Sequence, residues 1–148
     1  MHNGREGTEI MLQRIVAFIM LGICAYSDIR SRVINVLLVA GFGALSLVFH
    51  LVSGDMPPVS IVTALLPGAV LLLISRLTKG KLGEGDGVVI MALGLMTGGL
   101  DGVRILTAGL IFAAATGVIL IIAGYRKYTN TMPLIPYIFG GYIYWLIQ

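Results

Sequence analysis

The sequence contains seven carboxylates, a residue type that can carry out acid–base chemistry. Four of them lie in polar or turn-forming segments, where carboxylates are ordinarily solvated: Glu6, Glu9, Asp55 and Asp101. The other three are Asp28, Glu84 and Asp86. They stand apart because the topology derived below places all three at one face of a membrane.

Asp28 and Asp86 are about sixty residues apart and are expected on different helices. When two carboxyl groups approach, like-charge repulsion and desolvation raise one pKa and leave the other low, so the pair shares one proton. The ionised member takes a proton from water, and the protonated member donates to a scissile carbonyl oxygen. Such a pair predicts hydrolysis without a metal ion, a cysteine or a serine–histidine pair. The sequence leaves open which aspartate plays which part.

Each aspartate also has a purely structural interpretation. Asp28 ends an apolar run and is followed by Arg30 and Arg32, so it could pair with Arg32 at i+4 or cap the next helix. Asp86 precedes an apolar run and could be the N-cap of that helix.

The residues around Asp86 favour a functional interpretation. Gly83, Gly85 and Gly87 surround Glu84 and Asp86, and three glycines in five residues exceed what a cap requires. Glycine leaves the backbone free to take positive φ and lets an extended peptide approach closely. We therefore predict an active-site loop formed by Gly83, Glu84, Gly85 and Gly87.

Few residues are present for metal or disulfide chemistry. Cys24 is the one cysteine, which excludes a disulfide framework and a cysteine-ligated zinc site. His2 and His50 are too few and too far apart for a metal cluster. We therefore predict no metal site.

The elements that must position the carboxylates are membrane helices. The 148 residues are 57% hydrophobic and 11% charged, against roughly 25% charged in globular proteins. A helix needs about 20 apolar residues to cross the bilayer. We predict an all-α polytopic membrane helix bundle of about six transmembrane helices, forming a single domain over residues 1–148 with a flexible tail at 1–9. The predicted spans are Ile10–Ser27, Val33–Val52, Val59–Ser75, Val88–Leu100, Ile105–Tyr125 and Met132–Ile147.

Basic residues in short loops predict the orientation of such a bundle. Seven of the ten share one side when both termini face outward: Arg30, Arg32, Arg76, Lys79, Lys81, Arg126 and Lys127. The topology is therefore predicted as N-out and C-out, with Asp28, Glu84 and Asp86 at the cytoplasmic face. No basic run is long enough to track a phosphate backbone, so we expect the lipid bilayer, and no nucleic acid, as a partner.

Three motifs occur in order along these predicted helices. They are Ser27-Asp28 with Val33-Ile34-Asn35 downstream, Gly83-Glu84-Gly85-Asp86, and Pro133-Leu134-Ile135-Pro136-Tyr137. Together with the six apolar runs, they resemble the bacterial prepilin peptidases, which are intramembrane aspartic proteases of the Gly-x-Gly-Asp type. The resemblance covers nearly the whole chain and implies that Asp28 and Asp86 are catalytic.

The resemblance also implies a substrate and a location. Family substrates are type IV pilin-like precursors, prepilins or pseudopilins, with a short basic leader before a hydrophobic helix. The leader stays cytoplasmic, so cleavage would occur at the cytoplasmic face of the bacterial cytoplasmic membrane, in type IV pilus assembly or protein secretion. Glu84 could attract the basic leader or be an exposed carboxylate beside Lys81.

The chain departs from the family pattern in three ways. Ile34 replaces a proline before Asn35, and Val88 replaces a lysine often found after the second aspartate. Paired Cys-x-x-Cys motifs, which belong to the cytoplasmic domain of members that also methylate the new N-terminus, are absent from the sequence. The resemblance therefore implies a short, peptidase-only form with no methyl-donor cofactor, and we predict no cofactor.

Other interpretations remain open at this point. Asn35 could orient the loop after Asp28 or cap the second helix, and Pro133 and Pro136 could bend the last span toward the site or simply begin a helix. The whole chain could instead be a small membrane transporter or a non-catalytic subunit of a pilus or secretion assembly.

Overall fold

The computed structural model describes residues 2–31, 33–53, 56–78, 83–124 and 133–148. Within these ranges every regular element is an α-helix, which confirms the predicted all-α class. The helices are α1 (His2–Ser31), α2 (Val36–Ser53), α3 (Pro58–Leu77), α4 (Glu84–Thr97), α5 (Gly99–Ile122) and α6 (Ile135–Ile147).

Helix α1 begins earlier than the sequence predicts. It starts at His2 and therefore includes most of the segment expected to be a flexible tail. Extending an existing helix adds one backbone hydrogen bond for each residue that is ordered, and residues such as Arg5 and Glu6 are good helix formers. Residues 2–9 thus continue α1 in the structure, and the flexibility expected of this segment stays a prediction.

The outer surface of the bundle is apolar. Leu37 and Val52 on α2 are each 83% exposed, and Ile122 on α5 is 80% exposed. Such a large exposed apolar surface is compatible with a lipid environment. Helices α2 and α6 are also apolar, although they are shorter than a full membrane span. Three helical segments are long and apolar enough to cross a membrane by length and composition: Ile10–Ser31, Pro58–Leu77 and Gly99–Ile122. These features fit a membrane helix bundle.

Helix α4 is the central element of the bundle. It contacts α1, α2, α3 and α5, and most of its residues from Gly87 to Met96 are buried. Its 14 residues extend about 21 Å at 1.5 Å per residue, which is less than the roughly 30 Å of bilayer hydrocarbon. A short helix is tolerated here because its neighbours, rather than lipid, surround it. Asp86 therefore lies in the first turn of a helix that neighbouring helices surround.

Close glycine contacts hold α4 against α3. A Cβ on Gly87 would lie 3.0 Å from the carbonyl oxygen of Gly68, and a Cβ on Gly94 would overlap the carbonyl oxygen of Ala64. Small residues allow such backbone contact, which is the main packing device between helices in lipid. The position of α4 relative to α3 is thus set at both ends of the contact.

Helix α6 lies between α5 and α1 and runs antiparallel to α1. Gly141 packs against the backbone of α5, where a Cβ would lie 2.7 Å from the amide nitrogen of Gly109. On the other side, the Tyr142 hydroxyl donates to the Arg14 carbonyl oxygen at 2.7 Å, and the rings of Phe18 and Phe139 are 5.1 Å apart. This arrangement brings the first turn of α6 to the last turns of α1.

Candidate active site

Asp28 lies in the last turn of α1, and only 8% of its surface is exposed. The chain that follows is folded back onto the helix end by a side-chain hydrogen bond, in which Ser27 Oγ donates to the Val33 carbonyl oxygen at 2.7 Å. Within α1, Ser31 Oγ donates to the Ser27 carbonyl oxygen at 2.9 Å. The loop between α1 and α2 is therefore held beside Asp28.

Asp28 accepts a hydrogen bond from a residue 107 positions later in the chain. The backbone N–H of Ile135 donates to Asp28 Oδ2 at 3.1 Å. The other donors in the first turn of α6 are accounted for: Pro136 has no N–H, and the N–H groups of Tyr137 and Ile138 donate to the Leu134 carbonyl oxygen. The N–H of Ile135, which would otherwise be unpaired at the helix end, is satisfied by Asp28.

This contact corrects one structural interpretation of Asp28. The sequence suggested that Asp28 could cap the next helix, but the cap of α2 is Asn35, whose Oδ1 accepts the N–H of Leu38 at 3.2 Å. Asp28 binds the first turn of α6 instead. Arg32, the other suggested partner, lies outside the described residues.

Asp86 lies in the first turn of α4, not in a loop before it. The helix begins at Glu84 and its N-cap is Gly83, whose carbonyl oxygen accepts the N–H of Asp86 at 3.1 Å. Of the four residues predicted to form an active-site loop, only Gly83 precedes the helix. Glu84, Gly85 and Gly87 are helical, and the side chain of Glu84 is exposed. Lys81, the suggested neighbour of Glu84, lies outside the described residues.

The glycines around Asp86 provide room for packing, and none of them takes positive φ. A Cβ on Gly85 would lie 2.9 Å from Ile34 Cβ, and a Cβ on Gly87 would lie 2.6 Å from Leu72 Cγ. Gly85 thus lets the α1–α2 loop touch the first turn of α4, and Gly87 lets α3 do so. The expectation of positive φ was wrong; what requires glycine here is close approach.

The two carboxyl groups interact electrostatically. Burial, and next the negative charge of Asp28, raises the pKa of Asp86 from an ordinary 3.8 to about 6. Asp86 precedes the apolar part of α4 and lies outside the three candidate spans. A carboxyl group that stays protonated to about pH 6 beside a second carboxyl group can act as a proton donor near neutrality.

Pro133 and Pro136 flank the contact that Asp28 makes. Pro133 precedes α6 and Pro136 is in its first turn, where the fixed φ of proline suits helix initiation. Both prolines thus belong to the segment that contacts Asp28.

Two contributors to this site were missed in the sequence: the backbone N–H of Ile135 and the side chain of Ile34. The Pro-x-x-Pro motif was the available signal for the Ile135 N–H, because a helix that begins between two prolines has few free backbone N–H groups in its first turn. No local pattern pointed to Ile34, because its contact with Gly85 depends on how α2 and α4 meet. Among the described residues, no three His, Cys, Asp or Glu side chains form a group that could hold a metal ion.

Comparison with known protein families gave a match that covers most of the chain. A family model described as the type IV leader peptidase family matches residues 15–146, which include both aspartates and all six helices in whole or in part. No curated protein matched the chain significantly. No solved structure did so either.

Proposed function

The chain belongs to the type IV leader peptidase family, and from this membership we propose that it is an aspartic endopeptidase that removes the basic leader from type IV pilin-like precursors. Asp28 and Asp86 are the catalytic pair. The observation that carries the proposal is the electrostatic coupling of these two carboxyl groups, which come from the end of α1 and the start of α4.

The surroundings of the pair support this chemistry. Asp28 is buried and hydrogen-bonded, and the pKa of Asp86 is raised to about 6, so the pair can hold one proton between them near neutral pH. A carboxylate that accepts a proton from water and a carboxylic acid that donates to a carbonyl oxygen are the two groups that peptide hydrolysis requires.

The proposed substrate is a membrane-anchored precursor cut at the cytoplasmic membrane face. A basic leader is retained on the cytoplasmic side by the positive-inside rule, so its junction with the hydrophobic helix lies at that surface. The exposed side chain of Glu84, two residues before Asp86, supports this choice because it offers a negative charge to a basic leader. Asp28 and Asp86 would then face the cytoplasm.

Processing of a co-expressed precursor tests the proposal. Wild type, Asp28→Asn and Asp86→Asn are expressed at equal membrane abundance with several prepilin-like precursors, and cleavage is followed by mobility shift and N-terminal sequencing. We expect wild type to remove the leader and both variants to leave it in place. Normal processing by either variant would remove that residue from the mechanism. Absence of processing by wild type would instead favour a non-catalytic subunit or a transporter.

A further inference from the structure

Asp28 and Asp86 differ in what stabilises a negative charge on each of them. Both lie beside the N-terminus of a helix, α6 for Asp28 and α4 for Asp86, where the dipole favours a negative charge, but Asp28 also lies at the C-terminal end of α1, where the dipole disfavours one. What favours a charge on Asp28 is a direct hydrogen bond, because Ile135 donates its backbone N–H to Asp28 Oδ2. A hydrogen bond donated to a carboxylate favours its ionised form.

The N–H of Ile135 is placed so that Asp28 is its natural acceptor. Ile135 is the first residue of α6 and its side chain is fully buried, so the backbone there is held in place. An N–H at this position has no carbonyl partner within the helix. If Asp28 became protonated and turned away, this buried donor would be left unpaired, at a cost that opposes protonation.

From this contact we infer that Asp28 is the ionised general base, that Asp86 carries the shared proton as the general acid, and that Ile135 is a positioning residue acting through its backbone N–H. The inference rests on the proposed function and adds the division of labour between the two aspartates. The raised pKa of Asp86 agrees with this assignment.

With these roles, the two aspartates hydrolyse the peptide bond in two steps. Asp28 takes a proton from water while the water oxygen bonds to the scissile carbonyl carbon, and Asp86 gives its proton to the carbonyl oxygen. In the second step the C–N bond breaks, Asp28 passes its proton to the leaving nitrogen, and Asp86 recovers a proton from one hydroxyl of the tetrahedral carbon. The products are a carboxylic acid and an amine, and both aspartates return to their starting forms.

Among the described residues, two other titratable groups interact with Asp28, and we assign the shared proton to one of them. Cys24, one turn earlier on α1, and Asp86 on α4 both interact with Asp28 electrostatically. The first turn of α6 contributes the Ile135 N–H and the apolar residues beside it. Burial and the negative charge of Asp28 raise the pKa of Asp86 to about 6, so Asp86 is the group beside Asp28 to which we assign the proton.

The location of the proton can be measured without substrate. The chain has four aspartates, so protein labelled with ¹³C at the aspartate carboxyl carbons gives few resonances in detergent micelles, and Asp28→Asn and Asp86→Asn assign two of them. We expect the titration step at higher pH to move mainly the Asp86 resonance. A step at higher pH carried mainly by Asp28 would overturn the assignment, whether or not the protein cleaves prepilins.

A pair of variants tests the role of the Ile135 N–H itself. Ile135→Pro removes the N–H at a helix position where proline is tolerated, and Ile135→Ala removes the same buried side chain but keeps the N–H. We expect Ile135→Pro alone to move proton occupancy toward Asp28 and to shift the acidic limb of the kcat/KM profile upward by about one pH unit. Equal profiles in the two variants would overturn the role of Ile135. If Ile135→Pro does not fold, the wild-type titration still decides which aspartate holds the proton.

Discussion

The side chain of Ile34 lies directly against Gly85. A Cβ on this glycine would come within 2.9 Å of Ile34 Cβ and 3.1 Å of Ile34 Cδ1, whereas carbon atoms in favourable contact are about 3.5–4.0 Å apart. Ile34 is in the loop that follows Asp28, and Gly85 precedes Asp86. The contact therefore joins the two chain segments that carry the carboxyl groups.

Substituting Gly85 is expected to separate these segments. In Gly85→Ala the new methyl group must displace either the α1–α2 loop or the first turn of α4, which moves Asp86. A displacement of about 1 Å at a catalytic group can lower the rate by roughly a hundredfold, so we expect kcat/KM to fall by at least about tenfold. The measurement is the cleavage rate of a precursor by purified protein.

Two comparisons make this prediction specific. Gly41→Ala changes a glycine on α2 whose added Cβ would meet none of the residues that the structure describes outside its own helix turn, and it should leave kcat/KM unchanged. Adding Ile34→Gly to Gly85→Ala removes the Cβ that the new methyl group meets, so part of the activity should return. A double variant that is no better than Gly85→Ala would show that Ile34 is not the group displaced.

The glycine contact between α3 and α4 should control stability. In Gly94→Ala the methyl group meets the carbonyl oxygen of Ala64, so the helices must move apart. Overpacking of this kind costs about 1–3 kcal/mol, and we expect the free energy of unfolding in detergent to fall by that amount. Gly117→Ala, on α5, where the described residues outside its own helix turn place nothing within 4 Å of an added Cβ, should keep or slightly raise it. Equal stability of the two variants would contradict the packing account.

The raised pKa of Asp86 predicts a stability that depends on pH. Folding raises this pKa from 3.8 to about 6, so the folded state binds the proton more tightly than the unfolded state does. The contribution to stability is full below about pH 4 and is lost as pH rises through about 6. Because Asp86→Asn cannot ionise, it should be more stable than wild type at pH 7 by about 1–2 kcal/mol, after allowance for partial exposure, and similar to wild type at pH 4.

Thermal unfolding of the two proteins at both pH values checks this prediction. Asp101→Asn is the matched control, because Asp101 pairs with Arg104 at 3.0 Å in the first turn of α5. It should lose a little stability at pH 7, since it gives up an ion pair and a favourable interaction with the helix dipole. If Asp86→Asn also lost stability at pH 7, the folded state would not destabilise the ionised Asp86 carboxylate, and this prediction would be wrong.

Asn35 should act as a helix cap. Its Oδ1 accepts the N–H of Leu38 at 3.2 Å, and removing such a cap costs about 0.5–2 kcal/mol. We expect Asn35→Ala to be destabilised by this amount and Asn35→Ser to retain both stability and cleavage, because serine caps as well. An Asn35→Ser protein that is fully stable but does not cleave would show that Asn35 contacts the substrate instead.

The fold class could be predicted, and the two aspartates could be chosen as candidate site residues, because both inferences depend on local features. Long uncharged runs predict helices that span a lipid bilayer. Asp28 and Asp86 are conspicuous because Asp28 lies at the end of one such run and Asp86 lies just before another. The start of α4 could not be predicted in this way. Three glycines suggest a loop by propensity, but Gly85 and Gly87 each accommodate a neighbouring side chain, and this packing stabilises a helical first turn.

The contact between Asp28 and Ile135 also lay beyond sequence reasoning. It joins residues 107 positions apart and depends on α6 lying antiparallel to α1, which the Tyr142–Arg14 hydrogen bond and the Phe18–Phe139 contact help to fix. The donor is a backbone N–H, which every residue except proline possesses, so no residue type marks it. The orientation of the bundle across the membrane stays a prediction.

The most direct test of the central claim, that Asp28 and Asp86 act together on one peptide bond, is a comparison of cleavage rates. Purified wild type, Asp28→Asn, Asp86→Asn and the double variant are assayed on one prepilin-like precursor at matched pH. Residues that work as a unit give non-additive losses, so each single variant should lose roughly a thousandfold or more and the double variant should be no worse. A single variant within about tenfold of wild type, or losses that multiply in the double variant, would contradict the account.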